Sequence, residues 1–248
     1  RLRHLIGDVR DPTRLSRAMV GVDVVIHAAA QKVVPLAESN PGEVVKTNIV
    51  GTLNVIEAAL DRGVRRVMGL SSDKAVSPYN LYGASKLLLE RLLVDANEYG
   101  GRTTRFSAVR WGNVTGSRGS LVPLIREQRP SGVVTLTDPG MTRFWISMDQ
   151  AVRFVCARVE DMDGGEVFIP ELPSVRVADV IQALAPECEV RTIGIREGEK
   201  MHELLISRDE SRDAAMVGRP ESGERHYRIQ RGRGHGAEFE YASSTNAR

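Results

Sequence analysis

The 248-residue sequence is poor in several features that would each define a class of protein. It has two cysteines, Cys156 and Cys188, and no CxxC pair. No His or Cys set stands at metal-ligand spacing, so no metal is expected, and both thiols are expected to be free in a reducing compartment. No apolar run approaches the roughly 18 residues that a membrane helix needs. The opening Arg1-Leu-Arg-His-Leu-Ile6 lacks the apolar stretch of a signal peptide. A cytoplasmic location without a membrane segment is therefore the expectation. The formal net charge of +2 lacks the one-signed excess that draws nucleic acid or an acidic membrane, so no nucleic-acid partner is expected. The first residue is not methionine, which points to processing or to a fragment of a longer chain.

What the sequence does have is alternation. Val22-Asp-Val-Val-Ile-His27 is a near-continuous apolar run, as in a parallel strand covered on both faces, and it ends in Ala28-Ala29-Ala30. Asn40-Pro41 reads as a helix cap followed by proline in the first turn. From there Val44, Val45, Asn48, Ile49, Thr52, Val55, Ile56 and Ala59 share one helical face as far as Gly63. Residues 65–70 read as a strand, 81–99 as a helix and 103–110 as a strand. Such repeats imply an α/β fold, a Rossmann-like doubly wound parallel sheet with helices on both faces. Ligands of these sheets bind beyond the carboxyl ends of the strands. Ala28 to Ala30, Ser71-Ser72-Asp73-Lys74 and Gly112-Asn113-Val114 each follow a predicted strand.

Beyond residue 113 the alternation becomes irregular, with short strands at 133–136, 166–169 and 189–193 and helices near 149–159 and 177–185. Residues 1–115 are expected to form a dinucleotide-binding domain. Residues 116–248 are expected to form mainly a smaller α/β substrate-binding lobe that closes over the sheet's edge, with some segments returning to the sheet. The glycine-rich Arg231-Gly-Arg-Gly-His-Gly236 reads as a solvated loop.

The sharpest local signal is Tyr82-Gly-Ala-Ser-Lys86. Residues four apart on a helix project from one face. A free tyrosine titrates at about 10 and is a poor base at neutral pH. An ammonium beside it favours the phenolate, which can then take a hydroxyl proton while hydride leaves the same carbon. Asp73 and Lys74 lie between Ser72 and this pair, where a carboxyl and an amine suit general acid–base work. Ordinary surface ion pairs and strand-end serines have the same composition, so position after a strand is what distinguishes these residues.

The strand-end serines, the YxxxK pair and the strand ending in Arg110-Trp-Gly-Asn-Val114 together resemble the extended short-chain dehydrogenase/reductases. Within that group Asp73-Lys74 resembles the inverting UDP-N-acetylglucosamine 4,6-dehydratases of the polysaccharide biosynthesis protein family. Further stretches share the likeness: His27-Ala-Ala-Ala-Gln-Lys-Val-Val-Pro35, Lys46-Thr-Asn48, Gly112 to Ser120, Met141-Thr-Arg-Phe-Trp145 and Gly194 to Glu203. The resemblance implies that Ser72 holds the substrate hydroxyl and that Tyr82, assisted by Lys86, takes its proton during hydride transfer from C4. It further implies that Lys74, neutral, removes the C5 proton, and that Asp73, protonated, helps the C6 hydroxyl leave. Both groups need pKa values moved towards neutrality. For the cofactor, NADP or NAD with NADP favoured, the resemblance points to Asp8, Val9, Ala28, Ala29, Ala30, Lys32 and Asn48 besides Tyr82 and Lys86. For a UDP-sugar it points to Lys32, Asn113, Arg118, Arg143, Arg196 and Glu199, the arginines suiting a diphosphate through paired donors. A homo-oligomer is implied as well.

The sequence departs from the pattern at its start. The G-x-G-x-x-G turn that cradles a pyrophosphate is absent, as is the strand that reads the ribose. Residues 1–6 are expected to be the third strand, so that one βαβ unit, on the order of 30 residues or more, is missing. A UDP-sugar 4-epimerase and a non-catalytic, cofactor-binding homologue are the alternatives.

Overall fold

The computed structural model describes residues 2–99, 103–117, 119–218, 225–234 and 236–246. The first half runs α1 (Pro12–Ala18), β1 (Val24–His27), α2 (Val34–Ser39), α3 (Pro41–Val44), α4 (Gly51–Arg62), β2 (Arg66–Leu70), α5 (Leu81–Tyr99), β3 (Arg105–Val109) and β4 (Asn113–Val114). It continues with α6 (Leu121–Gln128), β5 (Val133–Leu136), β6 (Thr142–Ile146), α7 (Met148–Asp161), β7 (Val167–Pro170), β8 (Ser174–Arg176) and α8 (Val177–Leu184). The last stretch holds β9 (Glu189–Thr192), β10 (Leu204–Ile206), α9 (Arg208–Ser211), β11 (Ala214–Val217), β12 (His226–Ile229) and β13 (Tyr241–Ala242).

The main sheet has the order β1-β2-β3-β7-β12-β11. Its first four strands are parallel, β12 runs antiparallel to β7, and β11 runs antiparallel to β12. The expected α/β architecture is thus present, with an antiparallel edge added. Val67, Met68, Phe106, Ala108 and Val109 are fully buried, because helices cover both faces of the central strands. The strand over 166–169, placed above with the irregular region, lies in this sheet beside β3. All four of its residues are buried, so it needs cover on both faces.

Three expectations fail locally. The apolar run of β1 is not covered on both faces: Val24 and Ile26 are exposed, because β2 is its sheet partner among the described residues. Residues 2–7 form no strand, since no ladder partner lies beside them among the described residues; Leu2 and Ile6 are exposed, and Ile6 O accepts from Arg14 Nε. Asn40 stands at the N-cap of α3, yet its amide donates to Leu36 O at 3.0 Å and makes no capping bond. Between α3 and α4 the helix passes through a π turn, Val45–Val50. The wider turn shifts the helical phase and buries Asn48 as well as Thr52. Helix α4 ends at Gly63, whose φ of 66° is the left-handed conformation of a glycine cap.

A second core gathers Ile125, Val134, Leu136, Met141, Val177 and Ile181 between α6, α8 and the parallel pair β5–β9. The two halves are stitched by Arg110, which is fully buried just after β3. It reaches Glu90 of α5 at 2.6 Å, Glu210 of α9 at 2.8 Å and Leu205 O of β10 at 2.8 Å. Cys156 is exposed, Cys188 half-buried, and both are free. No helix among the described residues is long and apolar enough to cross a membrane.

Candidate active site

Strands β2 and β3 end side by side, and the chain leaving β2 keeps their register. Ser71 N donates to Val109 O at 2.7 Å and Asp73 N to Trp111 O at 2.8 Å. The backbone then closes a short 3-10 turn over Asp73–Ala75, with Ser72 as its cap. Helix α5 is pressed against this turn. A Cβ on Gly83 would stand 2.2 Å from Lys74 O, so the glycine inside Tyr82-Gly-Ala-Ser-Lys86 is required by close approach. That contact brings Ser72, Asp73, Lys74, Tyr82 and Lys86 together at the strand ends.

Asp73 is completely buried. Its Oδ1 accepts from Ser72 Oγ at 2.8 Å and from Lys74 Nζ at 3.1 Å, while Oδ2 has no hydrogen-bond partner among the described residues. Lys74 Nζ also stands 3.2 Å from Glu203 Oε1, and Glu203 is 2% exposed. Burial alone drives a lysine towards the neutral amine. Here Asp73 and then Glu203 outweigh it, and Lys74 is held as an ammonium well above the ordinary lysine range. This corrects the expectation that the site moves Lys74 towards neutrality. Glu203 ends the Gly194 to Glu203 stretch, and the family resemblance assigns it no role.

The Tyr82–Lys86 pair also differs from expectation. Desolvation pushes the Tyr82 phenol up to about 12; the nearby cation acting against this is Lys74, helped by a hydrogen bond with Ser72. Lys86, 3% exposed, donates instead to Leu70 O at 2.7 Å. Its own burial pushes the amine down to about 8, with Glu90 opposing. His27, at the end of β1, is likewise pushed down to about 4, by burial and then by Lys86. It shares a hydrogen bond of 3.1 Å with Thr52 Oγ1.

Of the expected cofactor residues, Ala28 and Ala29 are exposed and Ala30 half-buried directly after β1, and Lys32 is exposed. Asn48 is fully buried and committed to the protein: it accepts from Gln31 N at 2.7 Å and donates to Gln31 O and Ser85 Oγ. Asp8 is held by Arg10, whose guanidinium lowers the carboxyl to about 2. Val9 packs against Gly51, and its carbonyl accepts from Asn54.

Of the expected sugar-nucleotide residues, Arg143 has its guanidinium on the carbonyls of Thr142, Met201 and Lys200. It braces the segment before Glu203 and does not present a vacant fork, which corrects its reading as a diphosphate ligand. Asn113 is half-buried opposite Trp145. Arg196 is exposed, 3.7 Å from Glu199. Glu199 lines an open cavity of about 480 Å³ with Tyr79, Lys200 and His202; Ser72, Asp73, Lys74, Tyr82 and Lys86 are not in its lining. Arg118 lies outside the described residues.

Comparison with known proteins gives a consistent picture. Residues 1–221 match the family described as polysaccharide biosynthesis protein. A UDP-N-acetylglucosamine 4,6-dehydratase (inverting) of Campylobacter jejuni is 53% identical over 213 residues, covering 85% of this chain and 64% of the relative. A UDP-glucose 4-epimerase of Rickettsia conorii is 41% identical, with 85% and 63% covered. The chain thus spans just under two-thirds of the length of these relatives. Among solved structures, Pen from Bacillus thuringiensis superposes with a TM-score of 0.91 at 38% identity, covering 98% of this chain and 78% of that one. DesIV, a dTDP-glucose 4,6-dehydratase from Streptomyces venezuelae solved with NAD and TYD, gives 0.74 at 25% identity, with 81% and 70% covered. With this doubly wound sheet and this match along most of its length, the chain belongs to the polysaccharide biosynthesis protein family.

Proposed function

We propose that this protein is a nucleotide-sugar 4,6-dehydratase acting on UDP-N-acetylglucosamine, with inversion at C5, in surface polysaccharide or glycan biosynthesis. The observation that carries the reading is the ion pair between buried Asp73 and half-buried Lys74, set between Ser72 and Tyr82. An epimerase needs the Tyr82–Lys86 half of such a site, whereas elimination of water needs an acid and a base as well. The name carried by the Campylobacter relative supports the same substrate.

A nicotinamide dinucleotide, NADP or NAD with NADP favoured, supplies a reversible hydride acceptor when bound. The residues fit one: small side chains at Ala28 to Ala30 leave backbone open at the end of β1, and the Ser71 Oγ beyond β2 is buried without a hydrogen-bond partner among the described residues. Ala28 to Ala30 and Lys86 would hold it.

The chain's own residues then divide the proton work. Ser72 holds the C4 hydroxyl and Tyr82 takes its proton, which requires the phenol to ionise against its burial. Moving one proton along the 3.1 Å contact from Lys74 Nζ to Asp73 Oδ1 yields the neutral amine and the carboxylic acid that elimination requires. Lys74 removes the C5 proton, made acidic by the C4 ketone. Asp73 gives its proton to the C6 hydroxyl, which leaves as water, and the pair returns to its ionic form. With the hydride that the dinucleotide would give back to C6, a proton from solvent added to C5 on the opposite face would complete the 6-deoxy-4-keto sugar and invert that centre.

The test is incubation of the protein with UDP-N-acetylglucosamine and NADP or NAD, followed by mass spectrometry. Loss of one water, abolished in Lys74→Ala, is expected. An unchanged mass with altered sugar stereochemistry replaces the reading with a 4-epimerase, which the Rickettsia relative supports. Bound cofactor without any reaction favours a non-catalytic homologue. A cytoplasmic homo-oligomer completes the proposal, checked by light scattering and cell fractionation.

A further inference from the structure

Glu203 is the buried carboxylate of this site that the proton transfers above leave without a task. It immediately precedes β10, and its backbone is clamped. Its N–H donates to Ser243 Oγ at 2.9 Å, and its carbonyl accepts from Ser243 N at 2.9 Å. Ser243 Oγ in turn lies 2.7 Å from Thr142 Oγ1 on β6. The carboxylate so fixed has one oxygen 3.2 Å from Lys74 Nζ, and the other is buried without a hydrogen-bond partner among the described residues.

The other groups facing the Lys74 amine are Asp73 on its own turn, Arg143 of β6, Lys200 of the segment before Glu203, and Tyr82 of α5. Arg143 and Lys200 direct donors to backbone carbonyls, Lys200 to Val76 O at 2.8 Å. Two anions therefore flank Lys74, and elimination treats them differently. Asp73 is neutral as the acid at the moment when Lys74 must be most basic. An anion that stays charged at 3.2 Å favours the ammonium that forms as Lys74 takes the C5 proton.

We propose that Glu203 is the positioning residue for Lys74, holding the amine in place and strengthening it as the base for the C5 proton while Asp73 serves as the acid. This rests on the dehydratase reading, and the test separates the two. Competitive trace acetylation of the 248-residue protein between pH 7 and 10, read by peptide mass spectrometry, compares Lys74 with the exposed Lys46 and uses no substrate. In Glu203→Gln the relative reactivity of Lys74 is expected to rise about tenfold or more, while Glu203→Asp stays closer to the wild type. In turnover, the acid limb of the Glu203→Gln pH profile moves down by about one unit or more, and its plateau rate falls about tenfold or more. A purely structural role would lower the rate without moving the limb. Unchanged Lys74 reactivity and an unmoved limb in a folded Glu203→Gln overturn the proposal. Should that variant not fold, wild-type Lys74 acetylated as fast as Lys46 at pH 9 overturns it equally. Absence of any product, with the reactivity shift present, sinks the substrate assignment and leaves the pairing standing.

Discussion

The amine of Lys86 donates at 2.7 Å to the carbonyl of Leu70, the last residue of β2. A lysine read from its spacing as the partner of Tyr82 thus ties α5 to the sheet in this structure. Helix and strand end are held in one register by a buried cation.

That tie predicts a pH dependence of stability. Burial lowers the folded-state value of Lys86 to about 8, against the ordinary lysine value of 10.5. Between these limits the unfolded chain binds a proton that the folded chain does not, so stability rises with pH across the window. At pH 8 and below, folding bears the cost of charging or neutralising the buried amine. Denaturant unfolding of wild type and Lys86→Met at pH 8 and pH 10 isolates this contribution. Wild type is expected to gain about 2 kcal/mol on Lys86→Met over that interval. The Leu70 carbonyl, left without its donor in the variant, adds an offset that does not change with pH. A stability difference that stays flat with pH would refute the desolvated amine.

Gly83 gives a second prediction, because its contact is with backbone that cannot give way cheaply. A Cβ there meets Lys74 O at 2.2 Å and Asn80 Oδ1 at 3.3 Å. Gly83→Ala must push the Asp73–Ala75 turn away from α5 or tilt the helix that carries Tyr82. A displacement of about 1 Å between catalytic groups costs on the order of 100-fold in rate, and overpacking costs about 1–3 kcal/mol. Both effects are expected together, as a lower kcat at saturating sugar nucleotide and a lower Tm. A variant with wild-type kcat would show that the turn and the helix are not the fixed frame described here.

These two sites also mark how far the sequence could be read. The βαβ alternation is local information, since burial on both faces fills β2 and β3 with apolar or small side chains after their first residues, Arg66 and Arg105. Likewise Ser72, Asp73, Lys74, Tyr82 and Lys86 fall within one strand–turn–helix step, so their meeting follows from chain order. Glu203 comes from a remote segment that a strand pairing and a clamp at Ser243 bring back, and no periodicity announces such a contact. The charge on Lys74 is hidden for a related reason: Asp73 raises it from within the motif, but Glu203, which adds to that effect, lies outside it. Arg143 has the composition of a phosphate ligand, but carbonyl acceptors on the 200–201 segment occupy its donors. The exposed face of β1 and the π turn that buries Asn48 depend on sheet partners and helix phase, which an apolar pattern leaves open.

Arg110 carries the last prediction. It is fully buried with Glu90 at 2.6 Å, both of them inside the protein, while Glu210 at 2.8 Å is partly open to water. Glu90 and Glu210 hold the guanidinium charged despite its desolvation, and Arg110 in return lowers Glu210 below the usual carboxylate range. Removing one member of such a buried group strands the other, which costs about 3–5 kcal/mol, whereas apolar replacement of both costs less. Arg110→Met is therefore expected to be strongly destabilised by the Glu90 carboxylate left behind, and Arg110→Met combined with Glu90→Leu to be more stable than Arg110→Met alone. Glu210 accepts from Ser207 N and Oγ and loses Arg110 in both variants alike, so it does not mask the comparison. The same substitutions reach the site, because Trp111, the next residue, fixes Asp73 through its carbonyl. Loss of rate should accordingly track loss of stability across the set. Urea unfolding of wild type, both single variants and the double variant decides the matter: strictly additive costs would mean that Arg110 and Glu90 stabilise the fold independently, and the stitch between β3 and α5 would have to be sought in apolar packing instead.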